Sequence, residues 1–299
     1  MAQNSKSFVE VDGCRVEVMR GGKGAPVLFL HGAGGAGIWA PFMDKLAERY
    51  EVIVPSHPGF DRSATPEWLD NVSDLAYFYL DFIDKLGLDG IHLVGSSLGG
   101  WISAELAVRS TERLKTLTLL AAAGIHVDGV PKGDLFLWTP EQRIRNLFHN
   151  QKFADQILSI PMTEEMADIA IKNSFTTAKL AWSPRFYNRD LPKWLHRIDV
   201  PTLVVWGAED KIFANAHAPA YAKLIPGSRV EIIPECGHVP QIEKVDRFLA
   251  LFGTLANGAA KPAAKAKPRA AASRKAKPKA ASRRAARKPA KRAVKKRKR

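Results

Sequence analysis

The stretch Ile91-His92-Leu93-Val94-Gly95-Ser96-Ser97-Leu98-Gly99-Gly100-Trp101 decides how this chain is read. An apolar run predicts a strand, a glycine-flanked serine follows, and a helical pattern begins after it. Gly95-Ser96-Ser97-Leu98-Gly99 fits G-x-S-x-G, the nucleophile elbow. The spacing has a physical reason. The serine sits on a sharp, strained turn that lifts its hydroxyl clear of the strand's carboxyl end. Two residues to either side the chain folds back on its own strand and helix, where only a residue lacking Cβ fits. Glycine and serine are common, so the motif also matches ordinary strand-to-helix turns, and its neighbours must decide.

Working outward, Phe8–Val11 and Cys14–Met19 alternate around Asp12-Gly13, a strong hairpin signal, and predict an antiparallel pair at a sheet edge. Pro26–Leu30 is a continuous apolar run, as expected of a strand buried on both faces. Glycine-rich 32–37 leads to a predicted helix over Trp39–Arg49, a strand at Glu51–Pro55 and a helix over Asn71–Leu86. After the elbow come a helix to Arg109 and a strand at Leu114–Ala121. From 125 to 197 no strand pattern is found, only irregular helical stretches carrying Trp138, Phe148, Phe153, Phe175, Trp182, Phe186, Tyr187 and Trp194. The rhythm then resumes with a strand at Thr202–Trp206, a helix near Ala216–Leu224, a strand at Arg229–Ile233 and a helix over Gln241–Leu255. The expected class is α/β: a mostly parallel sheet of about eight strands with helices on both faces. Its core is 1–124 and 198–258, and a helical lid, 125–197, is inserted after the sixth strand.

A serine hydroxyl needs a base, a group that orients the base, and donors for the oxyanion that forms. Past Ser97, Glu209 and Asp210 follow a strand end, and only His217 and His238 remain to serve as base. His217 falls at a surface helix, whereas His238 lies on a loop at the same sheet edge as Ser97 and Asp210, where open α/β sheets gather their sites. Asp210 could instead cap a helix and His238 could be an ordinary loop histidine, but three residue types in the right order at separate strand ends make coincidence a poor explanation. Oxyanion donors should be backbone amides, Leu98 after the serine and Ala33 in His31-Gly32-Ala33-Gly34-Gly35. That loop lacks the Lys-Ser/Thr ending of a phosphate-binding loop. Trp39 and Trp101 are candidate substrate contacts, with helix packing as the plainer role for Trp101.

Composition divides the chain. It has 299 residues, 45 Lys or Arg and 30 Asp or Glu, a net charge of +15. Residues 259–299 hold 19 of the basic residues and no acidic one, which leaves 26 basic against 30 acidic, a net of −4, for 1–258. Two cysteines make no disulfide framework, and neither a signal-peptide core nor an 18-residue apolar run is found, so a cytoplasmic protein is expected. The 259–299 tail is almost wholly Ala, Lys, Arg and Pro, a composition expected to be disordered and to bind polyanions through counterion release. Nucleic acid is its first expected partner, which would associate the protein with the nucleoid; polyphosphate or an anionic membrane surface comes next. A solvated appendage without a partner is the alternative. No aromatics interleave the charges, so base stacking is not expected.

Taken together, His31-Gly32-Ala33-Gly34-Gly35, Pro58-Gly59-Phe60, Gly95–Gly100, Gly207-Ala208-Glu209-Asp210 and Gly237-His238 resemble the α/β-hydrolase superfamily over about residues 8–255. The tail resembles those of histone H1-type proteins. The resemblance implies Ser97 as nucleophile, His238 as base, Asp210 as its orienter and Ala33 and Leu98 as oxyanion donors, with no metal or organic cofactor. It implies a serine hydrolase acting on a small ester or thioester with an apolar acyl or aryl part. Serine at 97 counts against dehalogenases and epoxide hydrolases, which use aspartate there. The chain is also similar to carbon–carbon hydrolases of aromatic degradation, but has Ser96, Trp101 and Val239 where their pattern differs. A cofactor-free perhydrolase on the same triad, or a polyanion-binding protein on a hydrolase scaffold, are the other readings.

Overall fold

In the computed structural model, which describes residues 4–259, Asp12 and Gly13 both take left-handed backbone, φ 46° and 75°. A two-residue hairpin needs this at both positions to match strand twist. It joins β1 (Asn4–Val11) to β2 (Cys14–Gly21), with Val11 opposite Cys14. β2 pairs antiparallel with β4 (Tyr50–Pro55), and the rest of the sheet is parallel: β3 (Ala25–Leu30), β5 (Ile91–Ser96), β6 (Leu114–Leu120), β7 (Thr202–Gly207) and β8 (Arg229–Ile233). The eight strands run in the order β1-β2-β4-β3-β5-β6-β7-β8. The strand order reverses beside β3 and β5, which places a crevice at their carboxyl ends.

Continuous apolar strands follow from a core on each face. Val27 and Phe29 of β3 join Val94, Leu203, Phe42, Phe248 and Phe252 on one face, under α1 (Pro41–Ala47) and α10 (Val245–Gly258). Leu28 and Leu30 join Leu75, Phe82, Ile102 and Tyr221 on the other, under α2 (Val72–Lys85), α3 (Leu98–Arg109) and α8 (His217–Leu224). Asn71 caps α2 by accepting from the amides of Ser73 and Asp74.

Two helices differ from expectation. α1 starts at Pro41, whose missing N–H costs nothing in a first turn, so Trp39 and Ala40 stay outside it. The last predicted helix is broken at Lys244, φ −131° and ψ 53°, into α9 (Pro240–Glu243) and α10. The break leaves the Glu243 carboxylate to accept from the amides of Gly237, His149 and Asn150. Between β6 and β7 lie α4 (Pro140–Leu147), α5 (Gln151–Leu158), α6 (Glu164–Ala181) and α7 (Leu191–Trp194). Thr139, Asn150 and Thr163 cap the first three of these. No helix among the described residues is long and apolar enough to cross a membrane. The basic tail from 260 onward lies outside the described residues.

Phe248 is fully buried between Phe42 and Phe252, at ring separations of 6.0 and 6.1 Å. Phe248→Ala should therefore lower unfolding free energy by about 3–5 kcal/mol, read from urea denaturation midpoints at constant slope.

Candidate active site

Ser97 stands between β5 and α3 with φ 55° and ψ −114°, a conformation costly for a residue with a Cβ. The surrounding backbone holds it there. Ser97 N–H donates to Leu120 O at 2.9 Å, and Ser97 O accepts from Trp101 N at 3.1 Å and Ala123 N at 3.0 Å. The elbow glycines explain themselves sterically. A Cβ on Gly95 would overlap the Gly99 carbonyl, and one on Gly99 would overlap the carbonyls of Leu30 and His31. The elbow is thus pressed against the end of β3, where the glycine-rich loop begins. A Cβ on Gly32 would lie 3.2 Å from Ser97 Cβ.

The acidic and basic candidates come from two further strand ends. Asp210 follows β7; its Oδ1 accepts from Ile212 N at 2.8 Å and Phe213 N at 3.0 Å, and its Oδ2 bonds His238 Nδ1 at 2.8 Å. Glu209, the other acidic candidate, is used differently: its Oε2 accepts from Cys236 N at 2.8 Å and so fixes the loop carrying His238. His238 is 2% exposed, and its Nε2 is buried without a hydrogen-bond partner among the described residues. With Nδ1–H committed to a carboxylate, Nε2 is left as a free lone pair, which is the state a general base needs.

Leu98 opens α3, so its amide is one of the first-turn donors without an intrahelical acceptor. The Ala33 amide has no acceptor within the described residues, while its own carbonyl accepts from Thr177 Oγ1 at 3.3 Å. Among the described residues no group of three or more His, Cys, Asp or Glu is placed to hold a metal ion.

The two tryptophans are placed by packing. The Trp39 ring lies against Gly21 of β2, level with the start of β4, and its Nε1 donates to Asp44 Oδ1 at 2.9 Å. These two contacts hold the ring between β2 and α1. Trp101 is buried, packs against Gly124, and donates Nε1–H to Glu105 Oε1 at 3.2 Å one helical turn on. His217 opens α8, as expected, and its side chain is buried on the inner face of that helix.

Sequence reading missed the residues that hold the loops. Gln241 Nε2 donates to Ser96 Oγ at 3.1 Å and ties the His238 segment to the elbow. Below the glycine-rich loop, His31 and His57 stack at 3.6 Å, fully enclosed. His57 N–H donates to His31 Nε2 at 3.0 Å, so His31 carries its proton on Nδ1 and gives it to Gly32 O at 2.7 Å. His57 Nε2 donates to His31 O at 2.9 Å and its Nδ1 accepts from Tyr79 O–H, a phenol that burial holds protonated far above its usual range. Every ring nitrogen is spoken for in the neutral state. Neither histidine carried a signal beyond its position at a strand end.

The chain matches a known family. The model of the "Alpha/beta hydrolase family" matches residues 27–251. The chain is 32% identical to the dihydrolipoyllysine-residue acetyltransferase component of the acetoin cleaving system of Cupriavidus necator, over 82% of this chain and 67% of that protein. It is 30% identical to the 2-hydroxy-6-oxo-6-(2'-aminophenyl)hexa-2,4-dienoic acid hydrolase of Metapseudomonas resinovorans, over 81% and 87%. It is 28% identical to Lipase 1 of Psychrobacter immobilis, over 75% and 74%. Among solved structures, a serine hydrolase involved in carbazole degradation (CarC) superposes with a TM-score of 0.70 at 25% identity, covering 85% of this chain and 99% of that one.

Burial is the main cause that lowers the pKa values of His31, His57 and His217, with the neighbouring His31 adding to the effect on His57. Burial, then Lys115, brings His92 to about 4. Each is depressed below the ordinary histidine value of about 6.5 that the unfolded chain shows. Unfolding therefore takes up protons at acid pH, and stability is full above about pH 6.5 and lost as pH falls toward these folded-state values. Urea midpoints should be level between pH 7 and 8 and decline steadily from pH 6.5 to 4.5; a flat profile would contradict the neutral histidine cluster. A chain matched over 225 residues by one family model, with this elbow and this sheet order, belongs to the alpha/beta hydrolase family.

Proposed function

We propose that the protein is a serine hydrolase that cleaves carboxylic ester or thioester bonds of an apolar acyl or aryl substrate. The observation that carries the proposal is the His238–Asp210 bond at 2.8 Å, which leaves a buried, unpartnered His238 Nε2 on the rim that also bears Ser97. In this reading Ser97 Oγ attacks the acyl carbon and His238 Nε2 takes its proton. The amides of Ala33 and Leu98 receive the oxyanion. Protonated His238 then gives its proton to the leaving alcohol or thiol. A water, deprotonated in turn by His238, attacks the acyl-enzyme and releases the acid. Asp210 keeps the imidazole in the required tautomer, and two backbone amides on its other oxygen keep it aimed.

The apolar preference is supported by aromatic rings running from the lid to the base. Trp182 meets Phe136 at 5.1 Å, Phe136 stacks on Phe186 at 5.2 Å, Phe186 meets Phe213 at 5.9 Å, and Phe213 lies 5.5 Å from the His238 ring. Trp182 itself, like Phe175 and Trp194 of the same segment, is exposed, so the buried part of this wall is Phe186 and Phe213. The relative from Metapseudomonas resinovorans makes carbon–carbon hydrolysis the second reading. The comparison that decides is the ratio of kcat/KM for short aryl esters to that for vinylogous diketone acids. An ester preference of tenfold or more is expected. Ser97→Ala should lower ester turnover by about 10⁵–10⁶ and abolish labelling by a fluorophosphonate, and Asp210→Asn should lower it by about 10⁴. A Ser97→Ala protein that keeps its activity would sink the assignment.

The basic segment 259–299 is proposed to hold the enzyme on a nucleic acid. Its 19 Lys or Arg without a single acidic residue support counterion-release binding with little sequence preference. Removing residues 260–299 should leave ester hydrolysis within about twofold while duplex DNA binding at 50 mM salt is lost. In the full chain the logarithm of affinity should fall linearly with the logarithm of salt concentration.

A further inference from the structure

The lid helix α6 carries four polar side chains at one spacing, Lys172, Asn173, Thr176 and Thr177, which fall on a single face. All four are turned onto two loops of the core. Lys172 Nζ donates to Asp61 O at 3.0 Å and Ser63 O at 2.5 Å. Thr176 Oγ1 donates to Gly59 O at 2.7 Å. Asn173 has every main valence filled: Nδ2 donates to Gly34 O at 3.1 Å and Asp61 Oδ1 at 3.0 Å, and Oδ1 accepts from Asp61 N at 2.8 Å. Asp61 in turn accepts from Ala36 N through Oδ2 at 2.7 Å. Its own backbone is left-handed, φ 46°. Thr177 Oγ1 donates to Ala33 O. Asn173, Thr176 and Thr177 are buried.

These bonds converge on the loop that carries the proposed oxyanion donor. The Gly32–Ala33 peptide, whose N–H is that donor, has its carbonyl held within the loop by His31 Nδ1 at 2.7 Å and Gly35 N at 3.2 Å. The next two carbonyls, of Ala33 and Gly34, are held from the lid by Thr177 and Asn173. Gly35, φ 96°, lies directly on the Asp61–Asn173 pair; a Cβ there would overlap Asp61 Oδ1 and come within 2.5 Å of Asn173 Nδ2. The loop's own bonds among these reach only the Gly32 carbonyl, and three of the five residues from 31 to 35 are glycine, so the planes that follow depend on α6.

We infer that Asn173, assisted by Thr177 and seated through Asp61, is a positioning residue for the Ala33 oxyanion amide, so that the hole is complete only when α6 is docked. The inference rests on the serine-hydrolase reading of the site. Oxyanion stabilisation depends on a donor fixed before charge develops, and an error of about 1 Å in placement costs on the order of 100-fold in rate. A helix that covers the site and also sets the donor couples closure to catalysis: with the lid lifted, the loop loses two of the bonds that aim it.

The test uses full-length Asn173→Ala and the near-isosteric Thr177→Val. Hydrogen–deuterium exchange over residues 32–37 reads the clamp itself, independently of activity. Aryl-ester kinetics and the inhibition constants of an aryl boronic acid and of the product acid read its use. The boronate forms a tetrahedral adduct on Ser97 that needs the oxyanion hole; the product acid does not. For Asn173→Ala the expected result is at least tenfold faster exchange at 32–37 and a kcat about 10–100-fold lower. KM and product-acid affinity should stay within about threefold, and boronate affinity should fall in step with kcat. Thr177→Val should show the same pattern at a few-fold size. Unchanged exchange, or wild-type kcat in both variants, overturns the inference. So does a loss in which product-acid affinity falls as much as boronate affinity, since that marks general damage. A wild-type protein inert to ester and boronate alike overturns the hydrolase reading beneath it, whatever the exchange shows.

Discussion

The backbone of Ser97 is the constraint on which the rest of this structure turns. A φ of 55° on a residue with a Cβ is unfavourable by about 1–3 kcal/mol, and it persists only where the neighbours permit no other path. Those neighbours are the last residues of β3 and β6. The Leu120 carbonyl takes the serine amide, and the Gly99 backbone sits so close to the carbonyls of Leu30 and His31 that no side chain could stand there. Strain in one residue is thus supported by two parallel strands and a helix. The same close approach brings the glycine-rich loop beside the hydroxyl. The elbow and the glycine-rich loop are two sides of one contact.

The second half of the site obeys a similar rule. Gly207 ends β7 with its backbone against the carbonyls of Cys236 and Gly237, and the Ala208 and Glu209 amides donate to Ile233 O and Cys236 O at 2.8 and 3.0 Å. The Asp210 and His238 loops are therefore zipped together before their side chains meet. The His238 loop is held from the lid as well. His238 N–H donates to Leu147 O at 2.7 Å, and Glu243 gathers the amides of Gly237, His149 and Asn150. A buried carboxylate that takes three backbone donors replaces a ladder that loops lack.

How much of this was legible in the sequence depended on the range of the signal. Hairpin, strands and elbow rest on local rules: Asp12-Gly13 needs left-handed backbone, apolar runs need two covered faces, and G-x-S-x-G needs absent Cβ atoms. The choice of His238 over His217 followed from which strand end each one trails, which is topology written in order along the chain. The loop supports were not legible. Glu243, Gln241, Asn173 and the His31–His57 pair act across separations of 6 to 145 residues, through single polar atoms with no periodicity to betray them. The break at Lys244 was hidden for the same reason: an apolar face continues through it, while a hydrogen-bonding need at Glu243 decides the backbone.

Both halves of the site, then, are fastened to the segment between β6 and β7, the oxyanion loop through α6 and the histidine loop through the end of α4. An active-site cover that merely shielded the serine would need apolar contact with the rim and nothing more. This one spends its buried polar groups on the two loops whose positions the proposed chemistry requires. Each such group is stabilising only while its partner is in place, and costs about 1–3 kcal/mol when left buried and unpaired. The packing of α6 and of the end of α4 against the core, and the set of the two loops, thus rest on the same hydrogen bonds.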